Sequence, residues 1–235
     1  MADNGAAIIV YLDGFKGNWN DSRRESFFPA RLENIDDVAF TRAVIADLEA
    51  TDGTDPARVF AVGYSNGGQM VMRLAHEIGA LLAGGAVLSA SMPTPDGFIA
   101  PPADAGVARM PMLLIHGTRD PIVPFQGGTM AGWARKLFKV GGSTLSMPGT
   151  AAYFAERNGI TTPPVTRTIP GRSTKTSVDQ TDYEQPGHPP VRLLTVHGAG
   201  HTIPGPKKAP FILGRTHTGV SAADVVAEYF AIGAR

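Results

Sequence analysis

One serine sits in a setting that makes it a nucleophile. Residues 63–68 read Gly-Tyr-Ser-Asn-Gly-Gly, so Ser65 centres a Gly-x-Ser-x-Gly pentapeptide. A β-forming apolar run at 59–62 precedes it, and an amphipathic stretch at 67–78 follows. A serine on a sharp strand-to-helix turn presents its hydroxyl to the open end of a sheet. Gly63 and Gly67 lack Cβ atoms and let the two elements approach closely. The first turn of the helix carries unpaired N–H groups and a partial positive charge. The N–H of Asn66 is therefore placed to stabilise an oxyanion.

A serine hydroxyl is a weak nucleophile and needs a base. On a strand–turn–helix scaffold of this kind the expected chain order is Ser, then acid, then His. Asp120 follows the apolar run 112–116 in Gly117-Thr118-Arg119-Asp120, which puts it on a strand-end loop. After the run 192–196 come two histidines, His197 and His201, separated by Gly-Ala-Gly. His201 sits deeper in that loop and is the better placed base. His197, at the strand end, is expected to pack or hydrogen-bond locally.

The remaining polar groups have plainer readings. His116 is expected to support the Asp120 loop, and His76 lies on a helix away from the strand ends. His188 and His217 read as solvated loop residues. Asp36 and Asp37 read as helix N-terminal charges, and Asp179, Asp182 and Glu184 as exposed loop acids. Met70 and Met72 read as packing residues. None of these other histidines forms a His-x-x-x-His pair, so no metal and no cofactor is expected.

The elements that must position these residues alternate. Strands are predicted at 8–12, 59–62, 85–89, 112–116 and 192–196. Helices are predicted at 36–48, 67–78, 129–139, 148–158 and 222–230. Residues 18–33 read as polar and irregular, and 93–102 as a loop. Alternation of this kind predicts an α/β fold with a mainly parallel sheet, in which ligands bind outside the carboxyl ends of the strands.

Composition fits one domain spanning 1–235. The 21 basic residues balance 21 acidic ones, so there is no electrostatic footprint for nucleic acid or an anionic membrane. The absence of cysteine excludes disulfides, thiolate metal sites and cysteine nucleophiles. No apolar run reaches the roughly 18 residues of a membrane span. The start, MADNGAAIIVYLDG, lacks a basic region ahead of its apolar stretch, so no signal peptide is read there, and localisation stays open.

Five stretches, DGFKGNWNDSR, IDDVAFTRAVIADL, DPARVFAVGYSNGGQM, LLIHGTRDPIVP and GAGHTIPG, together resemble the polyhydroxybutyrate depolymerase-like and feruloyl/acetylxylan esterase-like branch of the α/β hydrolases. The resemblance implies an α/β-hydrolase fold and a carboxylic-ester hydrolase. Its nucleophile, acid and base map onto Ser65, Asp120 and His201. The expected partner is a small or polymeric ester.

The sequence departs from that pattern in three places. A usual cysteine pair, near Ile160 and after Tyr183, is absent. Ile203 stands where a tryptophan commonly follows the histidine. Residues 7–14 resemble the fourth strand of the usual eight, and the earlier strands have no counterpart, which makes the fold N-terminally shortened. The loop after the third of those strands usually supplies the second oxyanion N–H. Two arrangements would restore it. The strand at 8–12 moves beside 59–62, where Gly14 or Phe15 offers the N–H, or a second copy of the chain covers the open sheet as a homodimer. Without either, a missing donor costs about 10²–10³ in rate.

The expected chemistry is acyl transfer to water, with Tyr64, Phe125, Trp133 and Ile203 as candidate pocket walls. The competing reading is a non-catalytic binding or scaffold remnant with an incomplete oxyanion hole.

Overall fold

The computed structural model describes residues 7–99, 101, 106–170 and 175–233. Residues 1–6, and residues 100 and 102 of the loop expected at 93–102, lie outside them. In chain order the strands are β1 (Phe60–Tyr64), β2 (Gly84–Leu88), β3 (Met112–Gly117), β4 (Gly128–Thr129), β5 (Ser143–Thr144), β6 (Val165–Ile169), β7 (Ser177–Tyr183) and β8 (Val191–His197). The α-helices are α1 (Pro29–Leu32), α2 (Asp37–Asp52), α3 (Asn66–Glu77), α4 (Gly132–Phe138), α5 (Met147–Arg157) and α6 (Ala222–Tyr229). Six strands form one sheet in the order β1-β2-β3-β8-β7-β6. The first four are parallel, and β7 and β6 join antiparallel. β4 and β5 pair separately.

Four of the five apolar runs read as strands form strands, and the inner ones have both faces covered. β2 and β3 are buried along their whole length. Alternate residues serve opposite cores, as the two-residue period of a strand requires. Met112 and Leu114 pack with Met70, Val71 and Leu74 of α3 and Ala151 and Phe154 of α5. Leu113 and Ile115 face the other way, with Val226 of α6 and Phe230. Helices on both faces of a parallel sheet bring the carboxyl ends of β1, β3 and β8 to one edge of the molecule.

The segment 8–12 is a correction. It forms no strand. Ile8, Ile9, Val10 and Tyr11 are 53, 48, 44 and 91% exposed, and β1 is the outermost strand of the sheet. Apolar, β-forming composition predicts a strand only where an unpaired edge receives it, and here the segment does not reach β1. Its proposed move beside the strand that precedes Ser65 is therefore overturned. Val62 of β1 remains 55% exposed.

β6 and β7 fall where loop acids were expected. Asp179 and Asp182 are strand residues, with Glu184 just beyond the strand. Thr166 pairs with Thr181 at 2.9 Å, and Thr168 with Asp179 at 2.7 Å. Asp182 takes Arg192 at 2.6 Å. Cross-strand polar pairs hold these strands, and a search for apolar runs misses them.

The histidine of α3 carries a stability prediction. His76 is 3% exposed, with Nδ1 2.6 Å from the Met72 carbonyl and Nε2 2.7 Å from the Tyr153 hydroxyl. The carbonyl only accepts, so Nδ1 carries the proton and Nε2 accepts from Tyr153. Burial pushes its pKa down to about 4; the Met72 contact opposes this in part, and Arg157 adds to it. Between about pH 6.5 and 4 the unfolded chain binds a proton that the folded chain refuses, so stability rises with pH across that window. Acidification from pH 7 to 4 should cost about 2–3 kcal/mol through this residue. Urea midpoints measured at both pH values should show a shallower loss in His76→Gln; parallel losses would remove His76 as the cause.

Candidate active site

Ser65 joins β1 to α3 with φ 54° and ψ −118°, a backbone conformation a non-glycine residue holds only under constraint. Its own N–H donates to the Leu88 carbonyl at 2.8 Å, and its carbonyl accepts from Gln69 N–H at 3.0 Å. A Cβ on Gly63 would run into the Gly67 carbonyl, which is why the strand and helix can meet this tightly only with glycine there. Asn66 opens α3, so its N–H belongs to the first, unpaired turn.

The three residues singled out from the sequence meet at the strand ends. His201 Nε2 lies 2.9 Å from Ser65 Oγ, and His201 Nδ1 lies 2.7 Å from Asp120 Oδ2. Asp120 follows β3 and His201 follows β8, each on its own loop. The His201 loop is fixed by its backbone: Gly200 N–H donates to Arg215 and His201 N–H to Leu213. A Cβ on Gly200 would strike the Leu213 carbonyl, so this docking also requires glycine. His201 is 3% exposed.

Asp120 is held on both carboxylate oxygens. Oδ1 accepts from the N–H groups of Ile122 and Val123, both at 2.8 Å. Oδ2 faces His201 Nδ1 at 2.7 Å and His116 Nε2 at 3.3 Å. Burial pushes its pKa up, but hydrogen bonds from His116 and His201 and their charges outweigh this and hold it down at about 2. The group is ionised throughout the neutral range and presents a charged acceptor to the imidazole Nδ1. His116 does support this loop, since its Nε2 also reaches the Val123 carbonyl at 3.0 Å. His197 instead bonds Asp179 at 2.8 Å, the local partner expected of a strand-end histidine.

Tyr64 holds His201 from beneath: its hydroxyl donates to the His201 carbonyl at 2.8 Å, and the two rings lie 5.0 Å apart. Burial, with the Asp120 charge, pushes its pKa up to about 12, so it stays a neutral donor. Phe125 packs edge-on to His116. Trp133 and Ile203 are each 46% exposed. A groove of about 1190 Å³ beside the start of β7 and a cleft of about 410 Å³ beside α2 are lined by other residues.

Two expectations for histidines are corrected. His217 is 1% exposed, with Nδ1 2.8 Å from the Thr176 hydroxyl. His188 is half-buried, and its Nδ1 reaches the Asn158 carbonyl at 2.8 Å. Neither is a solvated loop residue, because each fastens a loop to the body of the fold.

The segment read as irregular at 18–33 contains what sequence reasoning missed. Asn20, Asp21, Ser22 and Arg23 are at most 9% exposed. Asn20 N–H donates to Asp37 Oδ2 at 2.6 Å, so Asp37 is a buried tether as well as a first-turn acid, while Asp36 caps α2 through Ala39 N–H. Asp21 pairs with Arg23 at 2.5 Å. Asn66 reaches the same segment with its side chain, accepting from Trp19 N–H at 2.7 Å and donating to Asp21 Oδ2 at 2.5 Å. Gly14 and Phe15, the expected second oxyanion donors, open a short 3₁₀ turn on the loop that leads into this segment. The available signal was the density of polar residues in NWNDSR, which a solvated loop shares.

The family model described as Phospholipase/Carboxylesterase matches residues 8–148. The chain belongs to this family. Over 97% of its length it is 30% identical to NocK of Nocardia uniformis subsp. tsuyamanensis, named an esterase, of which it spans 66%. It is 29% identical over 84% of its length to feruloyl esterase B of Piromyces equi, of which it spans 34%. Its fold superposes on an acetyl xylan esterase from Aspergillus awamori with a TM-score of 0.55 and 16% identity, over 83% of this chain and 67% of that one. That likeness supports the α/β-hydrolase fold of this carboxylesterase-family chain, and the relatives bear out its kinship with feruloyl esterases.

Proposed function

We propose that this chain is a serine carboxylic-ester hydrolase that works through an acyl-enzyme, with Ser65 as nucleophile, His201 as base and Asp120 as its orienting carboxylate. The observation that carries the reading is the unbroken chain Ser65 Oγ–His201 Nε2 and His201 Nδ1–Asp120 Oδ2, at 2.9 and 2.7 Å. A carboxylate only accepts, so the neutral imidazole keeps its proton on Nδ1 and offers the Nε2 lone pair to the serine hydroxyl.

Attack of Oγ on the ester carbonyl passes the serine proton to Nε2, and the Asp120 charge stabilises the imidazolium that results. The N–H of Asn66 receives the oxyanion. His201 returns the proton to the departing alcohol, and water repeats the sequence on the acyl-enzyme. Short acyl and hydroxycinnamoyl esters are the proposed substrates; the feruloyl esterase relatives support the second class.

The competing reading, a non-catalytic remnant, draws on the open edge of β1. One experiment separates the two. p-Nitrophenyl esters from acetate to octanoate should be hydrolysed with a burst of nitrophenol equal to the enzyme concentration, followed by slower turnover. The chain-length profile would bound the acyl site. Absence of both burst and turnover across the series would favour the remnant.

A further inference from the structure

Asn66 has two functions to offer, and only its backbone N–H is used above. Its side chain bridges two parts of the fold. The amide oxygen accepts from Trp19 N–H at 2.7 Å, and the amide nitrogen donates to the Trp19 carbonyl at 3.2 Å, so it mimics a strand partner for Trp19. The same nitrogen donates to Asp21 Oδ2 at 2.5 Å. Asp21 cannot yield, because it is fully buried and held by Arg23 Nε and Nη2 and by the Arg23 N–H. Arg31 closes the far side through the carbonyls of Asp21 and Arg23, and Arg73 binds the Asn20 carbonyl at 2.5 Å. The Trp19 indole lies beside Gly67, with Nε1 3.8 Å from where a Cβ would stand.

This arrangement sits next to a strained residue. Ser65, at φ 54°, keeps its conformation only if its surroundings over-determine it. On one side Leu88 and Gln69 do so. On the other, the next residue along the chain is locked by its side chain to a rigid, charged segment. We propose that Asp21 and Asn66 form a positioning clamp that fixes the turn at Ser65, and with it the Asn66 N–H, in the geometry that receives the oxyanion. The clamp also fastens the loop bearing Gly14 and Phe15 to that turn. Asp21 is thus a positioning residue, acting through Asn66 without touching substrate. The catalytic half of the proposal rests on the esterase reading above.

The test separates side chain from backbone. Asn66→Ala keeps the N–H and removes the clamp, while leaving Asp21 paired with Arg23. Misplacement of donors by fractions of an ångström up to about 1 Å predicts a fall in kcat of about 10- to 100-fold on p-nitrophenyl acetate, with KM changed less than threefold. Asn66→Asp should be at least as damaging, since it sets two carboxylates face to face. Asp21→Asn, which must turn its NH₂ group toward donors of Arg23 or of Asn66, should lower kcat in the same direction as Asn66→Ala. Hydrogen exchange of the peptide 60–70, followed by mass spectrometry, should be at least tenfold faster at the turn in Asn66→Ala. Unchanged exchange together with unchanged kcat would overturn the clamp. So would a loss of activity that only follows the unfolded fraction measured by near-ultraviolet circular dichroism. A wild type no faster than Ser65→Ala would instead fell the esterase reading, and the exchange result would still judge the clamp.

Discussion

Replacing Ser65 with alanine should lower kcat by about 10⁴- to 10⁶-fold and abolish the nitrophenol burst. The size follows from what is removed. Without Oγ, 2.9 Å from His201 Nε2, no covalent intermediate forms, and water must attack the ester directly. The residual rate comes from the oxyanion site and from substrate binding, which the substitution leaves in place. Folding should be nearly unaffected. Alanine keeps the Cβ, so the strain of φ 54° is the same, and the bonds to Leu88 and Gln69 use only backbone atoms. Thermal unfolding of the variant should therefore match the wild type, and KM should shift little. Hydrolysis at more than a hundredth of the wild-type rate would show that Ser65 is not the nucleophile.

The sequence shows most plainly what local chemistry alone determines. β1, β2, β3 and β8 are runs of apolar residues bounded by turn formers, and each was legible for that reason. The meeting of Ser65, Asp120 and His201 was legible because each directly follows such a run, and parallel strands carry their ends to one side. Other features depend on partners distant in the chain. Residues 8–12 have a strand's composition, yet a strand needs an edge to pair with, and composition does not report that. β6 and β7 are polar; their stability comes from Thr166 against Thr181 and Thr168 against Asp179, a register visible only once the hairpin is closed. Asn20 and Asp21 look like solvated loop residues because their partners, Asp37, Arg73 and Asn66, lie 17 to 53 positions away. A polar stretch bonded mostly within the fold has the same composition as one bathed in water. Tyr64, read from the sequence as a candidate wall, also braces the fold: its hydroxyl donates to the His201 carbonyl, 137 positions along the chain.

Asp120→Asn should cost about 10⁴-fold in kcat through the position of a single proton. In the wild type, Oδ1 accepts from the backbone N–H groups of Ile122 and Val123, and Oδ2 faces His201 Nδ1. An asparagine amide has one oxygen to place. Two backbone donors claim it, since an NH₂ group there would face two N–H groups in a buried site. The NH₂ must therefore point at His201 Nδ1. An amide nitrogen only donates, so Nδ1 must become the acceptor and the ring proton moves to Nε2. A protonated Nε2 cannot take the proton of Ser65. Because burial is outweighed by the bonds from His116 and His201, the wild-type carboxylate stays ionised down to about pH 2, and the deficit should persist from pH 5 to 8. Its lowered pKa also means that Asp120 contributes stability above its unfolded value near 3.8, lost as pH falls toward 2. Nitrogen-15 chemical shifts of the imidazole should report the Nδ1–H form in the wild type and the Nε2–H form in the variant. A variant that retains the Nδ1–H form, or loses less than tenfold in kcat, would take the orienting role away from Asp120.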